Sequence, residues 1–182
     1  KPADFEIRYT FGGWPLQQYL IEFPGGRYQT LGIAWDARGK SEGGQRWFHL
    51  YPGEKIDHKD QLHWTGLYQN WNLQCAACHS TNLRKGYDAA SNIYKTTFSE
   101  INVACEACHG PGSRHMAWAK EARAPYASQG DKGLVVLRSR WNEAWKLPAT
   151  GARTAQRDQP AADALMNVCA ACHARRSTIA ES

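Results

Sequence analysis

The chain has 182 residues, the length of about one domain. Hydrophobic residues make up 42% and the mean hydropathy is −0.62, so the polypeptide is lean for a self-sufficient core. The formal net charge is +5, but a nucleic-acid role is not favoured, because the basic clusters Arg84–Lys85, Arg138–Arg140 and Arg175–Arg176 are short. No apolar run reaches the roughly 18 residues of a membrane-spanning helix.

The first 50 residues are predicted to form antiparallel β-structure. From Phe5 to Phe11, apolar side chains alternate with polar ones, which is the period of a half-buried strand. Further strands are predicted at Trp14–Phe23, Arg27–Trp35 and Trp47–Tyr51, with a hairpin at Pro24–Gly26. Because residues 1–52 contain no cysteine, we assign this region to packing and to the delivery of ligands.

The rest of the chain, residues 53–182, is predicted to hold short helices between loops. The helices are expected from about Thr65 to Cys75, from Ser99 to Gly110, from Ser113 to about Arg123, and from Pro160 through the last cysteine pair. Residues 125–158 are expected to be irregular. The predicted fold class is therefore α+β with little regular structure.

All six cysteines lie in three copies of one pattern, C-x-x-C-H. This pattern is the attachment signature of covalent c-type haem, in which two thiols form thioethers and the next histidine ligates iron. The sequence thus predicts three covalent haem c groups, around which residues 53–182 would fold. The attachment residues are Cys75, Cys78, Cys105, Cys108, Cys169 and Cys172, and the proximal ligands are His79, His109 and His173.

Two other uses of paired cysteines were weighed. A structural zinc site would need two such pairs, or one pair with two histidines, and it gives no reason for a histidine after every second cysteine. A thioredoxin-like redox site would need one C-x-x-C in a βαβ setting. Three identical motifs therefore favour haem over both.

Four histidines lie outside the motifs, and they are candidates for the sixth position on iron. We predict this role for His49, His63 and His115, whereas His58 lies in a polar stretch that indicates a solvent-facing side chain. His115 follows His109 by six residues. A link that short reaches a neighbouring haem more easily than the far face of the same one. The pairing of each histidine with a haem stays open.

Several segments resemble the multihaem cytochromes c that often carry C-terminal tetratricopeptide repeats. They are Tyr9–Gly12, Pro15–Tyr19, Gly43–His49, Leu62–Gly66 and Cys105–His115, and the resemblance covers residues 4 to about 177. It implies bis-histidine haems, export and electron transfer. It also implies another C-x-x-C-H upstream of residue 1, and often further motifs and repeats after Ser182.

The leading hypothesis is an electron carrier, not an enzyme, with three low-spin haems that serve redox partners or further haem-bearing segments. Assembly of copies into a homo-oligomer or an extracellular filament is an extension of it. Covalent haem is attached outside the cytoplasm, so a periplasmic or extracellular location is expected. Each ferric haem adds a charge of about −1, which lowers the net charge to about +2. The alternatives are a reductase or oxidase with one five-coordinate haem, and a docking fragment of a larger complex.

Overall fold

The computed structural model describes residues 3–121, 132–135, 137 and 164–174. Contacts divide the described chain into two compact units, one that ends at Ala104 and one that begins at Cys105. Antiparallel strands, short helices and many turns make up the described residues, which confirms the predicted α+β class with little regular structure. The proposed division between residues 1–52 and 53–182 stays a prediction.

A five-stranded antiparallel sheet dominates the described part of the first unit. Its strands are β1 (Ile7–Phe11), β2 (Leu16–Phe23), β3 (Arg27–Thr30), β4 (Ile33–Asp36) and β5 (Arg46–His49), with one 3₁₀ turn at Lys40–Glu42. The long strand β2 pairs with β1 along one edge and with both β3 and β4 along the other, while β5 pairs with β4. The sheet confirms the predicted β-rich start of the chain.

The predicted strand Arg27–Trp35 is divided into β3 and β4. The hairpin between β2 and β3 forms as expected, with Phe23 opposite Arg27. At the interruption, the Leu31 N–H donates to the Tyr19 carbonyl, and the Leu50 N–H donates to the Gly32 carbonyl. Residues 31–32 thus bond to two different neighbours, which lets β3 and β4 pair with separate halves of β2.

Two short helices, instead of one, cover the first motif and the residues just before it. After a 3₁₀ turn at Leu67–Gln69, helix α1 covers Trp71–Gln74 and helix α2 covers Ala76–His79, with Cys75 between them. Helix α1 begins at Asn70, whose side-chain oxygen accepts the Leu73 N–H. Both helices contribute to the core cluster of this unit, which consists of Phe11, Leu20, Trp71 and Ala76.

The predicted helix before the second motif is wrong for residues 99–104. Thr81 forms an isolated antiparallel bridge with Glu100, and the Thr81 hydroxyl accepts the Ala104 N–H and donates to the Asn102 carbonyl. These tertiary bonds use the backbone groups that a helix would need. A small hairpin, β6 (Tyr87–Asp88) with β7 (Ile93–Tyr94), was not predicted.

The described parts of the second unit contain three helices and a turn at residues 132–133. Helix α3 covers Cys105–His109, α4 covers Ser113–Glu121 and α5 covers Ala164–His173. Helix α4 begins at the predicted Ser113, whereas its predicted end at Arg123, the start of the last helix at Pro160 and nearly all of 125–158 lie outside the described residues. Within those residues, no helix has the length and apolar character needed to cross a membrane.

Candidate functional site

Each C-x-x-C-H motif lies on or beside a short helix. The first surrounds α2, the second forms α3, and the third ends α5. None of the six cysteines is in a disulfide bond. In a helix, residues three and four apart share one face, which places the two cysteines and the histidine of the second and third motifs on one side of α3 and of α5. Helices α3 and α5 are in contact within the second unit.

The first motif is anchored to the sheet by a buried amide. Asn72 is fully buried, and its side-chain oxygen accepts the Tyr28 N–H at 2.7 Å. Its amide nitrogen donates to the Gly26 carbonyl at 3.1 Å and to the Thr96 hydroxyl at 2.9 Å. Because Asn72 lies in the helix just before Cys75, these bonds fix the position of the motif against β3.

The two cysteines of the first motif differ in environment. Cys75 is half-buried and packs against the core cluster. Burial raises the pKa of the Cys75 thiol from its ordinary value to about 11, and the neighbouring Cys78 adds to the shift. His79, at the end of α2, is exposed. The motif therefore has one sulfur turned toward the core and an imidazole at the surface.

In the second motif, a carboxylate organises the turn that follows. The Glu106 side chain accepts the Gly112 N–H at 2.6 Å, so the Gly110–Gly112 turn folds back on α3. His109 is exposed, and it lines a cavity of about 520 Å³ with Pro111, Ser113 and Arg114. The cavity places open space beside a predicted proximal ligand.

His115 is held from two sides. Its Nδ1 lies 2.9 Å from the Lys132 carbonyl oxygen, and its ring stacks on Trp118 with centroids 5.4 Å apart. A carbonyl can only accept, so Nδ1 carries the proton and the lone pair of Nε2 is available to a metal. Such an orienting bond is typical of metal-ligating histidines.

His49 and His63 line one cavity of the first unit. It has a volume of about 290 Å³ and is otherwise mostly apolar, with Leu31, Ile33, Ile56 and Leu62 in its wall. The Tyr51 N–H donates to Nδ1 of His49 at 3.1 Å, which places the proton of the neutral ring on Nε2. Nδ1 of His63 lies 2.8 Å from the Thr65 hydroxyl, a group that can donate or accept, and it accepts the Thr65 N–H at a longer 3.4 Å.

The remaining predicted residues lie in the third motif and at His58. Cys169 and His173 are exposed, and Cys172 is half-buried. His58 is exposed, as its sequence context predicted. Sequence reasoning missed Asn72 and the segment 132–135, since their roles depend on contacts distant in sequence, and it missed Glu106, whose partner Gly112 is six residues away. The carboxylate inside the second motif was a visible signal for Glu106.

The donor set fits covalent haem c. Thioether attachment needs two cysteines outside any disulfide and a histidine close by on a compact turn, and each motif supplies them. A structural zinc would need a cluster of four ligands. Among the described residues, no three histidine, cysteine or acidic side chains come together in a way that could hold a metal ion.

The comparison with protein families points to the same class. Residues 41–110, which contain the first two motifs, match the family model described as cytochrome c554 and c-prime. A crystal structure of the outer cell wall cytochrome OcwA is similar at 23% identity, with a TM-score of 0.37. That similarity covers 64% of this chain and 21% of the OcwA chain. No curated protein matches. The family match supports a c-type cytochrome, a haem protein of electron transfer.

Proposed function

We propose that this chain is a multihaem c-type cytochrome that passes electrons between redox partners outside the cytoplasm. Haem c would be bound at all three motifs through the cysteine pairs given above, with His79, His109 and His173 as proximal ligands. The observation that carries the proposal is the repeated placement of two cysteines, neither in a disulfide bond, and a histidine on one short helical turn.

The sixth ligands are proposed from the three histidines outside the motifs. His115 is the best prepared, because its Nδ1–H bond leaves Nε2 free. His63 is compatible, since its bond from the Thr65 N–H is long, at 3.4 Å, and the Thr65 hydroxyl can accept from Nδ1. His49 would have to give up its bond with the Tyr51 N–H to bind through Nε2. Bound haem would supply one-electron chemistry, and the residues named here would hold and orient it.

The test is a measurement of the intact holoprotein. Its mass should exceed that of the polypeptide by three haem groups, and the haem content by absorbance should agree. Electron paramagnetic resonance should show low-spin ferric iron throughout. A mass equal to that of the bare polypeptide, or of polypeptide with zinc alone, would refute the proposal. Electron microscopy of the same sample would test assembly into a filament.

One observation favours a second candidate, a reductase or oxidase with one open coordination position. In the neutral ring of His49, Nε2 carries the proton. His49 is therefore the least suited of the three proposed distal ligands to bind iron through Nε2. Carbon monoxide binding to one haem of the reduced wild-type protein, with a high-spin ferric signal, would favour the enzyme. Low-spin spectra for every haem would favour the carrier.

A further inference from the structure

The segment Lys132–Val135 forms hydrogen bonds with two histidines that are predicted to ligate iron. At one end, the Val135 N–H donates to the His109 carbonyl at 2.9 Å. At the other, the Lys132 carbonyl accepts the Nδ1–H of His115. His109 belongs to a haem motif and His115 does not, so this segment ties a proximal ligand to a proposed distal one.

The bond to His115 needs a close approach that only glycine permits. A Cβ on Gly133 would lie 2.6 Å from the Arg114 carbonyl carbon and 2.7 Å from the His115 nitrogen. Both are backbone atoms and cannot turn away as a side chain could. The φ of Gly133 is also +74°, in the left-handed region. Any side chain here would push the Lys132 carbonyl away from the imidazole.

Two further contacts hold the same arrangement. The ammonium of Lys132 lies 5.6 Å from the ring centre of Trp118, a cation–π contact. Trp118 also stacks on His115, with the ring planes inclined by 21°. Lys132 therefore contacts His115 through its carbonyl and contacts the stacking partner of His115 through its side chain.

We propose that the segment 132–135 is a positioning element which fixes His115 in the tautomer protonated at Nδ1, and that Gly133 is the residue which makes this possible. The inference rests on the proposed function, because it matters only if His115 binds iron. A bonded Nδ1–H makes the imidazole a stronger donor, which favours ferric over ferrous iron. The segment would thus lower the reduction potential of one haem.

The experiment compares Gly133→Ala with Gly43→Ala in the holoprotein. Gly43 is a matched control, because its φ is +79° but no atom of the described residues lies within 4 Å of the place its Cβ would take. Gly43→Ala therefore introduces the same kind of backbone strain as Gly133→Ala, but without a steric clash between Cβ and backbone atoms. His115→Ala and the double variant with Gly133→Ala complete a mutant cycle.

In Gly133→Ala, the midpoint potential of one haem should rise, and the affinity of that haem for carbon monoxide should increase about tenfold or more. Gly43→Ala should match the wild type in both measurements. The double variant should match His115→Ala alone, because the segment acts through that side chain. A wild-type potential in Gly133→Ala, beside an altered one in His115→Ala, would overturn the inference.

Failure of the inference can be distinguished from failure of the proposed function. A wild-type protein without covalent haem would refute the function. A fully loaded protein in which His115→Ala leaves every haem low-spin would refute only the inference, since His115 would not be a ligand. The intact mass is measured for each variant before its spectra.

A second measurement decides the case in which Gly133→Ala yields no haem-loaded protein. In the reduced wild-type holoprotein labelled with ¹⁵N-histidine, nuclear magnetic resonance should show His115 protonated at Nδ1, with slow exchange of that proton. The exposed His58 is the internal reference for fast exchange. Exchange at His115 as fast as at His58, or protonation at Nε2, would overturn the inference.

Discussion

The ring of Phe11 meets the imidazole of His79 edge-on, with ring centroids 5.8 Å apart and planes inclined by 74°. Phe11 ends strand β1 and belongs to the core cluster, whereas His79 is exposed at the end of α2. The sheet therefore provides one of the contacts that orient the imidazole of a predicted iron ligand. The β-rich start of the chain positions the first motif directly, in addition to packing against it.

We expect Phe11→Leu to disturb the haem of the first motif and no other. The substitution keeps an apolar core side chain but removes the ring contact, which costs about 1–2 kcal/mol in the free energy of unfolding. The low-spin g-values of one haem should shift as His79 turns. Phe23→Leu is the control, because Phe23 packs on Phe5 and Trp64 and not on a motif histidine. Equal spectra for the two variants would contradict the prediction.

Asn72→Ala should destabilise the first unit by about 2–4 kcal/mol. It removes three hydrogen bonds of a fully buried side chain and leaves the Tyr28 N–H without an acceptor. Denaturant unfolding of the holoprotein measures the loss. Gln61→Ala, which truncates an exposed amide, should change stability by less than about 0.5 kcal/mol. If both variants unfold at the same denaturant concentration, the amide does not anchor the motif.

The raised pKa of Cys75 predicts slow alkylation of this thiol in the haem-free chain. Its ordinary value is 9.0 and burial raises it to about 11, so the thiolate is about 100-fold scarcer at pH 8. Reaction with iodoacetamide, followed by peptide mass, should be about 100-fold slower at Cys75 in native buffer than in guanidinium. Equal rates would mean that the burial of Cys75 is lost without haem.

The same shift gives a pH dependence of stability. Between pH 9 and about 11, the folded state keeps the Cys75 proton that the unfolded state has lost. Its contribution is therefore complete below pH 9 and is lost as the pH rises toward 11. Cys75→Ser should remove this part of the alkaline loss from the haem-free chain. The holoprotein should lack it too, because a thioether sulfur has no proton.

Local patterns predicted the elements whose contacts are near in sequence, and they failed where distant contacts decide. The alternation from Phe5 to Phe11 predicted β1, and the turn at Pro24–Gly26 predicted the hairpin of β2 and β3. Ser113 predicted the start of α4. Residues 99–104 have helix-compatible sequence, yet hydrogen bonds with Thr81 hold them out of a helix. No local signal shows that Gly133 approaches His115, since the tight packing involves backbone atoms 18 residues away.

The cavity that contains both His49 and His63 gives the last prediction, because the two rings have different partners. A neutral imidazole carries one proton, and the Tyr51 N–H bond to His49 places that proton on Nε2. Ligation by His49 would break this bond at a cost of about 1 kcal/mol, or roughly fivefold in affinity. The Thr65 N–H also donates to Nδ1 of His63, but at 3.4 Å, so less free energy is lost when that bond is given up, and the Thr65 hydroxyl can then accept from Nδ1.

We therefore expect His63→Ala to open a coordination position in a larger fraction of one haem than His49→Ala does. Carbon monoxide binding to the reduced holoprotein measures the fraction, with His58→Ala as the exposed control. Thr65→Val should raise the potential of the same haem that His63→Ala alters, because Nδ1–H loses its acceptor. A larger effect from His49→Ala would contradict the assignment, since it would show that the Tyr51 bond gives way readily.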